Sequence, residues 1–184
     1  MISRILLTLL ISLFAGSIFI ANAQQRDHLT EKEVDLVKEA QALDKRIDVF
    51  IKATERRMMV ITNSAGTANA KQLKKDSERW GELPTGSRAE LVSDIAKILD
   101  EAITNIDDVS ARDERNPLIG KSLRKLAQAV NAMMAQLKPL AAEAKSEAEV
   151  ASFELLNEDA QSIVEAANKL PPEVVDPKKA KKSN

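Results

Sequence analysis

Four of the five methionines in this chain sit in two adjacent pairs, Met58 with Met59 and Met133 with Met134. Thioether sulfur is a soft ligand that suits Cu(I), so two such pairs are the one constellation here with the composition of a metal site. The competing reading is packing, because Met fills irregular cores and one member of each pair falls on an apolar helical stripe. Packing is the expectation, and no metal or other cofactor is assigned. Met58, Met59, Met133 and Met134 stand as the candidates should the chain be a periplasmic ligand-binding or Cu(I)-binding bundle, which is the alternative to the main reading below.

Most other chemistries are narrowed by what the chain lacks. It has no cysteine and one histidine, His28, which precedes the first helix and is expected to be exposed. That leaves no Ser-His-Asp or Cys-His pairing, no Cys/His zinc site, no di-iron bundle site with its two Glu-x-x-His motifs, and no covalent haem. Acid pairs such as Asp107 and Asp108 occur, but one Trp and no Tyr offer little for a sugar to stack on. The chain is therefore read as not an enzyme, with no catalytic residue assigned.

Recognition is the remaining chemistry. Trp80, the single tryptophan, reads as a hydrophobic plug at one end of the fold or as part of a partner surface. The charged run Asp107, Asp108, Arg112, Asp113, Glu114, Arg115 reads as a solvated turn or as a polar recognition tip. Trp80, Asp113 and Arg115 are thus the candidate partner surface. Arg56 and Arg57, beside Glu55, are expected on the wet face of the first helix.

These residues must be positioned by helices. The chain is rich in Ala, Leu, Glu and Lys, only 3% aromatic, and has five glycines in 184 residues, a composition suited to helix rather than strand. Three starts carry the spacing of a capping box: Thr30 with Glu33, Ser87 with Glu90, and Ser146 with Glu149. The run Leu29, Thr30, Glu31, Lys32, Glu33 is explained by that capping, with Leu29 and Val34 placed to form a hydrophobic staple. Asn116 followed by Pro117 signals a fourth start. Apolar residues recur at three and four positions after each start, so each helix has one face to bury.

The expected fold is all-α: an elongated antiparallel bundle of four main helices, with a short extra helix between the first and second. The first helix is expected as one spine from Thr30 to Asn63, roughly 50 Å long. Ser64 to Gly86 is the least certain stretch, with a short helix from Ala70 to Trp80. Pro139 should kink or break the third helix. The domain boundaries are 1–23 for a cleaved signal peptide, 24–29 for a flexible N-terminus, 30–170 for the bundle, and 171–184 for a disordered Pro/Lys-rich tail.

The first residues supply an address. Arg4 precedes an apolar run from Ile5 to Ile20, and Ala21 and Ala23 place small residues where a signal peptidase cuts before Gln24. The run falls short of the roughly 20 residues that span a bilayer, so cleavage is expected and no transmembrane span after it. Without cysteine there is no lipid-attachment site and no disulfide framework. A Sec-type, non-lipoprotein export to the periplasm or the exterior follows. With 27 basic against 28 acidic residues the net charge is −1, which gives no field to attract nucleic acid. The main reading is an exported, non-enzymatic interaction or scaffold protein with a protein or envelope partner. The Lys178 to Lys182 tail offers a weak surface contact, and the broad apolar stripe of the second helix leaves room for a homodimer.

Overall fold

The computed structural model describes residues 26–63 and 76–172. The signal segment 1–23, its cleavage residues Ala21, Ala23 and Gln24, the 64–75 part of the uncertain connection, and the tail from 173 with its lysines lie outside the described residues.

Every regular element among the described residues is helical: α1 (Glu31–Glu39), α2 (Leu43–Ile61), α3 (Arg88–Arg112), α4 (Pro117–Ala142) and α5 (Glu147–Asn168), with a helical turn at 76–80 before α3. The caps sit where the sequence places them. Thr30 and Ser87 each form both halves of a capping box. Ser146 accepts from the Glu149 amide, and Asn116 accepts from the Leu118 amide with Pro117 in the first turn. Each cap covers amides that the first turn leaves without partners.

Two expectations are corrected. The single spine from Thr30 to Asn63 is broken at residues 40–42, and α1 folds back along α2. A straight helix would hold Glu33 and Arg56 about 35 Å apart, yet Arg56 Nε donates to Glu33 Oε1 at 3.2 Å. Ala40, Gln41 and Ala42 are not helix breakers; the turn is imposed by that tertiary contact. Its freed carbonyls are covered by side chains, Gln41 Nε2 donating to Lys38 O and Arg46 Nε to Ala40 O. Of the kink or break expected at Pro139, the break is not found, since α4 runs through it to Ala142. The proline stands one turn from the end, and Ala135, whose carbonyl loses its amide partner, is exposed.

The four long helices form the bundle. α2 and α5 each pack against both α3 and α4, while α3 and α4 touch weakly across the diagonal. Successive helices run antiparallel: Arg57 faces Asp94 and Arg46 bonds Asn105 between α2 and α3, and Arg124 in the first turns of α4 reaches the Pro171 carbonyl just beyond α5. Because the four-residue turn after α3 crosses the diagonal, two seams join parallel helices. Asp44 and Asp48 of α2 pair with Lys121 and Lys125 of α4, and Arg88 of α3 forks onto Glu149 of α5. These pairs lie where like helix ends meet.

Ile47, Phe50, Ile95, Leu99, Leu126 and Leu156 fill the centre. Burying each contributes roughly 1.5–3 kcal/mol. The broad stripe of α3, from Leu91 to Ile106, is buried within one chain because α3 sits between α2 and α5. No helix among the described residues is long and apolar enough to cross a membrane.

Candidate functional site

The structure concentrates its polar geometry where α1, α2 and α3 meet. Glu33, Arg56, Arg57 and Asp94 are all buried. Glu33 is clasped on both oxygens: Arg57 Nη1 donates to Oε1 at 3.0 Å and Nη2 to Oε2 at 2.9 Å, while Arg56 Nε shares Oε1. Oε2 also accepts from the Thr30 amide, so the N-cap of α1 and the clasp use one carboxylate. Arg57 donates further to the Ala53 and His28 carbonyls.

The second arginine binds a turn. Arg56 Nη2 donates to the carbonyls of Trp80, Gly81 and Glu82, and its guanidinium lies 5.9 Å from the centre of the Trp80 ring. Such a turn needs Gly81, whose φ is +73° and whose added Cβ would stand 3.2 Å from Lys32 Cγ. Trp80 closes a small apolar cluster with Leu36 and Val49 on the outer side of α2.

Asp94 completes the charge balance from α3. Burial pushes its carboxyl above the usual range, and the positive charges of Arg26 and Arg57 offset part of that. Arg26 bonds it at 2.7 Å, whereas Arg57 Nε stays 3.8 Å away and has no hydrogen-bond partner. Two buried cations therefore face two buried anions. A buried set paired this closely, with Arg57 Nε its one donor left over, penalises arrangements that separate the partners.

Arg56 and Arg57 are thus not the wet face expected of them. The signal was present: Leu43, Ile47, Phe50, Thr54 and Arg57 follow one three-and-four spacing, which puts Arg57 on the apolar stripe. His28 is not exposed either. It is half-buried, its Nε2 2.8 Å from Glu101 Oε2. Of the N-terminal segment 24–29, residues 26–29 are described, and Arg26 and His28 lie along α3.

Grooves lie along three seams of the bundle. Between α2 and α4 a groove of about 350 Å³ is lined by Met58, Met59 and Met133 together with Ile51, Ala129 and Ala132. Between α4 and α5 a larger one, about 610 Å³, is walled by Met134, Leu137, Ala141, Val150 and Phe153 with Lys138 and Glu154 beside them. Between α3 and α5 a third carries Asp100, Asp107 and Asp159. Burial pushes the Asp159 carboxyl up, and Asp100 and Glu158 add to the effect. The structure therefore joins three of the four candidate methionines and sends Met134 elsewhere.

The candidate partner residues are not brought together. Trp80 is buried against α1 and α2, whereas Asp113 and Arg115 are exposed in the turn between α3 and α4, where the Arg115 amide donates to Asp113 Oδ1. Among the described residues no three His, Cys, Asp or Glu side chains gather as a metal site. No family model matches the sequence, and neither a curated protein nor a solved structure matches the chain.

Proposed function

We propose that this protein is an exported, non-enzymatic helical bundle that acts in the periplasm or outside the cell by holding a partner protein, and that the partner lays an amphipathic helix into the groove between α4 and α5. The observation that carries the reading is the composition of that groove. Its wall is apolar, with Leu137 and Phe153 buried at its base and Val150 on its rim 41% exposed; Leu155, also exposed on α5, lies outside it.

The groove spans residues 134–141 of one helix and 150–157 of its antiparallel neighbour. That is about two turns, the length over which a docked helix presents anchors at i, i+3 or i+4, and i+7. Lys138 and Glu154 place one charge of each sign at the margin, which orients a helix carrying the complementary pair. The export half of the reading rests on Arg4, the run Ile5 to Ile20 and the small residues before Gln24.

The test is site-specific photocrosslinking in cells, with the reactive side chain at position 150 or, as a control, at exposed Asp108 on α3. The reading expects one defined product from position 150 that Asp108 does not give, and loss of that product when Lys138 and Glu154 are exchanged. Equal products from both positions, or none from 150, would overturn the partner site. The mass of the protein recovered from the envelope checks export separately, through a chain that begins at Gln24.

A further inference from the structure

We infer that the groove between α2 and α4 binds one soft monovalent cation, Cu(I) or Ag(I), through the thioethers of Met58, Met59 and Met133. The site is separate from the α4/α5 groove, so it stands or falls independently of the partner proposed there.

Three sulfur side chains from two helices open onto a single volume of about 350 Å³. Met58 and Met133 are each only 7% exposed, so packing already holds two of the three in place. Ala129 and Ala132 on the α4 wall keep the space open. Met58 and Met133 also pack into the apolar core, and the groove opens to the surface beside them.

The rest of the lining favours a soft cation over other ligands. Among the described residues Glu55, paired with Lys52 at 3.5 Å, is the one charged side chain on the wall, and no Lys or Arg lines it. The hydroxyls present are turned onto their own helix: Thr54 Oγ1 donates to Ile51 O and Thr62 Oγ1 to Met58 O, each at 2.7 Å. Neither cysteine nor histidine lines the groove. Thioethers without thiolate, imidazole or a carboxylate set suit a d¹⁰ monovalent ion and are poor ligands for Zn²⁺, Ca²⁺ or Mg²⁺.

Titration of the purified protein with Ag(I), chosen because it needs no reductant, tests the site by calorimetry and by competition with a chromophoric chelator. The expected result is one Ag(I) per chain. Met58→Leu and Met133→Leu should each weaken binding by about tenfold or more, while Met134→Leu, on the other groove, leaves it unchanged. Leu for Met nearly conserves volume, so these variants should keep the fold. If one does not, the methyl resonances of the unaltered protein decide: Ag(I) should shift Met58, Met59 and Met133 and leave Met134 in place. No binding by the folded protein, equal loss on Met134→Leu, or a shift confined to Met134 would overturn the proposal.

Discussion

Where α1 folds onto α2 and α3 the interior is ionic, with Glu33, Arg56, Arg57 and Asp94 all out of water; where α4 meets α5 no charged side chain is buried, and the contact is made by residues such as Leu137, Phe153 and Leu156. The first region turns its polar groups inward and uses them on one another and on nearby backbone carbonyls. The second spends only apolar contact and leaves part of it, at Val150, unfilled. Buried charge gives little net stability against an apolar equivalent, but it penalises any arrangement that separates the partners. The ionic corner therefore specifies where α1 goes, and the apolar hairpin keeps surface available for something else.

The sharpest way to break this contrast is to remove one half of the clasp. Arg57→Ala leaves Glu33 buried and short of two donors, and should cost about 3–5 kcal/mol in chemical denaturation. On the apolar side, Leu156→Ala should cost about 2–5 kcal/mol through lost burial and the cavity it leaves. A loss much below 2 kcal/mol for Arg57→Ala would mean that the clasp is not what holds α1 down. Thr30→Ala removes only the cap and should cost about 1 kcal/mol. In the Val150→Asp variant, melting should move by no more than about 0.5 kcal/mol, since the site is exposed, whereas a large destabilisation there would show that the α4/α5 groove is part of the core.

A titration sharpens the same contrast without a fixed magnitude. The hydrogen bond from Lys121 holds Asp44 below the usual carboxylate range. A folded value below the unfolded one means stabilisation that is complete above the unfolded value and fades as pH falls through the folded one. Lys121→Met should therefore be less stable than the parent at neutral pH and converge with it in acid. Asp94 has the opposite sign, because burial raises it: its contribution weakens stability as pH rises from the unfolded value through the raised folded one. Carboxyl resonances should show Asp44 titrating below the usual range and Asp94 above it.

The elements from α3 onward were legible because their starts are local. Ser87, Asn116 with Pro117, and Ser146 announce helices through side chains only two or three residues from the amides they cap. The break at residues 40–42 was not, since Ala and Gln favour helix and the turn is dictated by Glu33 finding Arg56 and Arg57 more than twenty residues away. The grouping of the methionines was hidden for a related reason. Met58 and Met133 lie in the later turns of their helices, and they meet only because α2 and α4 are parallel neighbours; antiparallel neighbours would set them at opposite ends.

The two rungs Asp44 with Lys121 and Asp48 with Lys125 repeat at an interval of four residues, which makes them a vernier between α2 and α4. Were α4 to slide one turn, about 5.4 Å, toward the far end of α2, Lys121 would find Asp48 but Lys125 would face Lys52. A slide the other way would give Lys125 to Asp44 and leave Lys121 opposite Ala40, beyond the start of α2. Only the observed setting satisfies both rungs. Acting through two stiff helices, charges near one end thus gauge which sulfur atoms stand opposite each other about 15 Å further on.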